Sequence, residues 1–366
     1  MSDPSELTIE IHAGPRERLG RPVRVPVPWP EDTLVQLMRK DLKRPLPCQL
    51  HREQGKVWAY WILDHLKPGQ RQIYRLVTGA RQRKRRARVR IDRLGPDRVH
   101  VVNGRRQLAV LHLGRRWPLP FWNPVRTPDG YAITADLIPP PAGRIDTPLP
   151  SGGFWLAPPG FPSPSHGIEL LGPARWTSGP VFGELELLQR WRLNHTDYVN
   201  ATVRYRFFDR RDRQYLVDVS CELSAAYGPV QGNCSQSSGL LSLVLAPPLV
   251  SDASRIHSTF GAATASELQQ IPVPWVDLSG LLGGRWAGVA VFLTGNTWTT
   301  RWRLNPESGL LTVGGLGEAG SPWLQLETGE CWRFTARLWV HGGRPDFAEI
   351  ADRYADYIYP PAVRIV

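Results

Sequence analysis

Leu185-Glu186-Leu187-Leu188-Gln189-Arg190-Trp191-Arg192-Leu193 is followed by Val199-Asn200-Ala201-Thr202-Val203-Arg204-Tyr205-Arg206-Phe207-Phe208 and then by Tyr215-Leu216-Val217-Asp218-Val219-Ser220-Cys221-Glu222-Leu223. Apolar and polar residues take turns through these stretches, the period of a strand with one dry face and one wet face. Asn194-His195-Thr196-Asp197 and Asp209-Arg210-Arg211-Asp212 separate them as turns. β-rich stretches recur at Leu240–Leu245, Gly288–Leu293, Leu310–Val313 and Cys331–Val340. Many short strands joined by turns predict an all-β protein built as a large antiparallel sandwich. The clearest helix comes last, where Pro345-Asp346 opens a run with Phe347, Ile350, Ala351 and Tyr354 on one face.

Upstream, Pro22 to Pro28 alternates but is punctured by prolines, which places it on a sheet edge. Val57 to Leu63 is a continuous apolar run, a buried strand, with Lys67-Pro68-Gly69-Gln70 as a turn and Gln72–Leu76 as its expected partner. Residues 79–90 hold seven cations: Arg81, Arg83, Lys84, Arg85, Arg86, Arg88 and Arg90. Such a run repels itself and prefers solvent, so it reads as a loop feeding a hairpin. Residues 138–180 are Pro- and Gly-rich and irregular, yet carry Phe154, Trp155, Phe161 and Trp176, which argues for order. We expect an N-terminal β region with the basic loop over residues 1–106 and the main sandwich over 107–366.

With 366 residues and 42% hydrophobic content, the chain has ample material for a core. Its 34 Gly and 35 Pro disfavour long-helix folds. The net charge is +12, and all but five of the 45 cations are Arg, a bias that planar ion pairing or a GC-rich genome would each produce. No apolar run reaches the length of a membrane span. The opening MSDPSELTIE has no apolar signal region, so a cytoplasmic protein is expected. Cys48, Cys221, Cys234 and Cys331 are scattered without a CxxC pair and read as reduced thiols, Cys221–Cys234 being the one bridge a hairpin would permit. No P-loop, GxGxxG, HExxH or GxSxG occurs, and no cofactor or metal site is expected.

Two clusters stand out. Asp146, Trp155, His166 and Glu169 lie among glycines, and His166 with Glu169 would be an acid/base pair on a polyol, or an ordinary polar loop. Asn296, Trp298, Arg301, Trp302 and Arg303 form the second; in an extended chain Trp298 and Trp302 share a side. That side reads as a stacking platform for a sugar or base, or equally as core. The basic run, with Arg81, Arg83, Lys84, Arg85 and Arg86, would bind nucleic acid or an acidic partner, or stand solvated.

The order of segments resembles the bacterial family labelled methane oxygenase PmoA-like, a domain of unknown function. The resemblance rests on PVRVPVP (22–28), PLPCQL (45–50), WILDHLKPGQRQIYRL (61–76), RRWPLPFWNPVRTPDGYAIT (115–134), WVDLSG (275–280), GVAVF (288–292), TGNTWTTRWRLNP (294–306) and GECWRFTARLWVHGG (329–343). It implies a galactose mutarotase-like supersandwich and a sugar-related role. The methane label implies a copper membrane enzyme, which the chain's lack of a membrane span and of a His cluster argues against. Where the family has a histidine-rich Asp-His-Pro-His-His-like stretch, this chain reads Asp146-Thr147-Pro148-Leu149-Pro150. Where the family has Asp-His-Pro, it reads Leu293-Thr294-Gly295, and its Lys-x-Gly-Gly segment is replaced by Cys234 to Gly239. Neutral side chains there cannot move protons near pH 7. The expectation is a carbohydrate-binding or scaffold protein with little or no catalysis. The alternatives are an epimerase or lyase using His166, Glu169, Asp146 and Arg301, and an assembly protein using the basic run.

Overall fold

The alternation becomes a ladder of long antiparallel strands. Phe182–Leu193, Thr196–Phe208, Gln214–Ser224, Cys331–Gly342, Arg285–Leu293 and Trp275–Leu282 lie side by side in one ten-stranded sheet. In the computed structural model the described residues are 5–79, 86–114, 116–138, 149–161, 166–193, 195–209, 213–235, 237–294, 301–316 and 321–366. The inward positions of the ladder, including Leu185, Leu187, Val203, Tyr205, Val217, Val219, Phe334 and Leu338, are buried. They pack on an eight-stranded antiparallel sheet that supplies Ile91, Val101, Leu111, Trp122, Phe154, Leu243, Leu311 and Trp302 to the same core. Two sheets with interdigitated inner faces make the sandwich expected from the alternation. The irregular segment 138–180 contributes Gly153–Leu156 to the interior of the eight-stranded sheet, paired on both sides.

The N-terminal residues form a second, smaller sandwich with its own core. Glu6–His12, Arg71–Thr78, Val35–Arg39 and the C-terminal Ala362–Ile365 make one sheet. Arg18–Val27, Lys56–Leu66 and Gln49–Glu53 make the other, with the Pro-punctured strand on its edge. Ile9, Ile11, Val25, Trp61, Leu63, Tyr74 and Leu76 fill the space between. The pairing expected between Val57–Leu63 and Gln72–Leu76 is therefore corrected. The turn after Leu66 carries the chain across the small core, so these consecutive strands sit in facing sheets. The boundary expected at residue 106 falls inside the eight-stranded sheet, whose first three strands run from Val89 to His112; the two cores change over between Thr78 and Val89.

The apolar run at Val57–Leu63 is explained by burial on both faces. Ala59, Trp61 and Leu63 enter the small core. Tyr60 and Ile62 meet Val181, Phe182 and Phe208 on the outer face of the ten-stranded sheet. Gln49 fastens the junction, its Oε1 accepting from the backbone N–H groups of Val181 and Phe182 at 3.2 and 3.1 Å. A Cβ at Gly179 would lie 2.0 Å from that same oxygen, so the close approach depends on glycine there.

The C-terminal helix, Phe347–Ile358, is capped by Asp346, whose side chain accepts from the Glu349 N–H at 2.8 Å. Ile350, with Ala351 and Tyr354, packs on Trp275, Phe292 and Trp339 on the outer face of the large sheet. A second, six-residue helix at Ala265–Gln270 carries a capping box between Thr264 and Glu267. No helix among the described residues is long and apolar enough to cross a membrane. All four cysteines are free, so no Cys221–Cys234 bridge forms.

Candidate functional site

On the outer face of the ten-stranded sheet the polar positions stand in register. Glu184 lies opposite Arg206, Arg206 opposite Asp218, and Asp218 opposite Arg337, so charge alternates across four strands. A neighbouring row sets Arg175 opposite Glu186 and Glu186 opposite Arg204. Cross-strand pairs of opposite sign support the sheet, and they also leave a wall dense in donors and acceptors. The N-terminal sandwich stands beside this wall and brings Arg24, His51, Glu53 and Gln54 to it. The space between them is a cleft of about 720 Å³, lined also by Trp176, Ser220, Glu222, Arg333 and Thr335.

Arg206 is the hub. Its Nε donates to Glu184 Oε2 at 2.7 Å, its Nη2 also bonds Glu53, and its guanidinium lies 4.4 Å from the Phe182 ring centroid. Tyr60 donates to Glu53 at 2.7 Å, and Arg24 stacks 4.3 Å from the Trp58 ring while bonding both Glu53 and Tyr60. His51 lies 3.1 Å from Glu184 Oε1 through Nε2 and 3.2 Å from Glu31 through Nδ1.

These contacts set the ionisation of the cleft. Burial pushes Glu184 up, but the His51 hydrogen bond and the Arg206 charge outweigh it and hold the carboxyl at about 2. Glu53 shows the same contest, burial against Arg206, and ends below its ordinary value. Burial opposes the Arg206 charge, but Glu184, Tyr60 and Glu53 more than restore it. Burial raises the Tyr60 phenol. The carboxylates are thus held charged and the phenol neutral around pH 7.

One metal-type grouping occurs among the described residues: His51, Glu53 and Glu184 each offer a donor atom, all within 4.8 Å of one another. The Arg206 guanidinium bonds both carboxylates, so it already supplies the positive charge at that point. A divalent ion would have to displace it.

The residues singled out in the sequence lie elsewhere. His166 is half-buried beside Phe161, with ring centroids 6.4 Å apart, and burial lowers its pKa. Glu169 is exposed and bonds Arg192 at 2.9 Å, with Arg190 at 4.0 Å. The two have different partners, Phe161 for His166 and the arginines for Glu169, and no contact joins the pair among the described residues. Trp155 is 1% exposed in a satellite core with Phe121 and Phe161. Trp302 is equally buried, and its Nε1 donates to Val273 O at 2.7 Å. Neither ring keeps a face for a ligand, so Trp155 is corrected as a substrate-binding residue, and at Trp302 the core reading holds in place of the stacking platform. Arg301 and Arg86 are exposed. Asp146, Asn296, Trp298, Arg81, Arg83, Lys84 and Arg85 lie outside the described residues.

No family model matches the chain, and no curated protein matches it. Solved structures do. A glycosyl hydrolase family 38 protein from Enterococcus faecalis superposes with a TM-score of 0.50 at 9% identity, over 99% of this chain and 47% of that one. An alpha-mannosidase from Enterococcus faecalis V583 gives 0.51 at 10% identity, over 99% and 46%. The chain therefore spans about half the length of these structures, and at such identity the likeness is one of fold.

Proposed function

We propose that the chain is a carbohydrate-binding protein of PmoA-like type, acting without catalysis, and that the cleft between its two sandwiches is the ligand site. The observation that supports this most is the charge-alternating wall that lines the cleft from Glu184 through Arg206 to Asp218, with Glu186, Arg204, Glu222 and Arg333 beside it. Carboxylate acceptors and guanidinium donors alternate there at strand spacing, which suits the hydroxyl groups of a saccharide, while Trp176 supplies apolar surface. The absence of catalysis is supported by the same wall. A general acid needs a proton near pH 7, and Glu184 and Glu53 are both shifted away from that range. The fold likeness to carbohydrate-active enzymes is consistent with this reading.

Calorimetric titration with a panel of mono- and oligosaccharides tests the proposal. At least one should bind, and Arg204→Met, which leaves the Arg206 hub intact, should weaken it about tenfold or more. His166→Ala and Glu169→Ala should leave affinity within about twofold. No binding across the panel would refute the carbohydrate reading. Turnover of a glycoside or sugar at an enzyme-like rate would refute the non-catalytic part.

A further inference from the structure

A second site of different chemistry lies where the N-terminal sandwich, the ten-stranded sheet and the C-terminal helix meet. Here Arg18, Arg21 and Arg337 are buried together, each less than 9% exposed. Burying one guanidinium is costly unless each of its donors is satisfied. Arg337 meets that condition, with two bonds to Asp218 at 2.6 and 2.8 Å. So does Arg18, which donates to Asp356 at 2.5 Å and to the carbonyls of Ala13 and Tyr359.

Arg21 does not. Its Nε and Nη1 are buried and make no hydrogen bond among the described residues. Its nearest carboxylate, Asp356, is 3.7 Å away and already bonded to Arg18. The other carboxylate at the cavity, Asp209, lies 3.2 Å from Arg88 and accepts from Asn103 at 2.9 Å. Every acid in reach is thus closer to another partner, and Arg21 carries the surplus positive charge. Burial, with the neighbouring Arg337, pulls it down to about 9 against the pull of Asp356.

Arg21, Arg337 and Arg353 line a cavity of about 30 Å³, together with Ile62, Phe208 and Trp339 and the two carboxylates already engaged by other arginines, Asp209 and Asp356. A water needs roughly 10–15 Å³ of such space, so the cavity takes one monatomic ion or two waters and is too small for phosphate or sulfate. A wider recess of about 460 Å³ shares Arg21, Phe208 and Arg337 with it. We propose that this cavity is a binding site for a small monovalent inorganic anion, chloride, held by the free donors of Arg21. The ion would neutralise the surplus charge with charge-assisted hydrogen bonds. It would also tie together three parts of the fold, since Arg21, Arg337 and Arg353 come from different elements.

The test compares thermal unfolding in sodium chloride and in sodium gluconate at one ionic strength, gluconate being too large for the cavity. Chloride should raise the Tm with the logarithm of its concentration once above its dissociation constant, on the order of 2 °C at about ten times that constant. Arg21→Gln should abolish the difference. Equal Tm values in the two salts, or a chloride shift that survives in Arg21→Gln, would overturn the proposal. Should the variant fail to fold, crystals of the wild-type protein grown with bromide decide the matter. An anomalous peak beside Arg21 is expected; no peak there means that water alone fills the cavity, and the proposal falls.

Discussion

Replacing Glu184 with Gln should cost the protein about 3 kcal/mol at pH 7, and the cost should vanish in acid. The magnitude comes from the carboxyl itself, which falls from an ordinary 4.5 to about 2 through His51 and Arg206, against the opposing effect of burial. At about 1.4 kcal/mol per unit, that drop stabilises the folded state by about 3 kcal/mol. The side chain is 14% exposed, so solvent screening removes little of it. Removing the charge also leaves Arg206, itself 12% exposed, with Glu53 as its remaining carboxylate, and breaking such a buried pair costs about 3–5 kcal/mol. The sign follows from the direction of the shift. A carboxyl depressed in the folded state adds its full stability above the unfolded value, near 4.5, and loses it as pH falls toward 2. Urea unfolding of wild type and Glu184→Gln, followed by tryptophan fluorescence at pH 7, 5, 4 and 3, measures the gap. It should be widest at pH 7 and 5 and should close progressively below 4.5. A gap under about 1 kcal/mol at pH 7, or one unchanged at pH 3, would refute the claim that Arg206 and His51 hold Glu184 ionised.

Trp302→Ala should destabilise the fold by about 3–5 kcal/mol, as expected for a core indole, while saccharide affinity of the folded fraction stays unchanged; paired unfolding and calorimetry check this. A Cβ at Gly280 would sit 2.0 Å from the Pro248 carbonyl oxygen, so Gly280→Ala should lower the Tm sharply or yield insoluble protein, whereas alanine at the open Gly329, whose positive φ costs only local strain, should remain soluble. Thiol labelling of the native protein near pH 8 should reach exposed Cys331 first and half-buried Cys234 more slowly. Cys48 and Cys221 should react only on unfolding, since both are buried and burial pushes the Cys221 thiol up. Mass spectrometry of the modified peptides gives the order.

What could be read without coordinates, and what could not, follows from the period of the strand. Alternation separates two faces, so the ladder from Phe182 to Ser224 was legible, as was the C-terminal helix from its four-residue stripe. Alternation does not say which sheet a strand joins: the four-residue turn after Leu66 predicts Gln72–Leu76 as a hairpin partner, yet such a turn serves a crossing between facing sheets equally well. Nor does it say which face is inside: Trp302 and Arg301 were sorted to opposite sides correctly, yet the tryptophan side proved to be core. The wall of the cleft is present in the sequence as a pattern of charge sign. Glu184 and Glu186, then Arg204 and Arg206, then Asp218 and Glu222, then Arg333 and Arg337 occupy the wet positions of successive strands in the sheet, and their signs already complement one another. A wet face needs only polarity to stay in solvent; ordering its charges by sign from strand to strand adds cross-strand attraction and sets donors beside acceptors along the cleft. Part of that face is covered by the N-terminal sandwich, which delivers His51 and Glu53 from more than a hundred residues away, a contact no local pattern records. The rest of the wall, from Arg204 to Arg333, lines open space, and that is the part on which a ligand has room to bind.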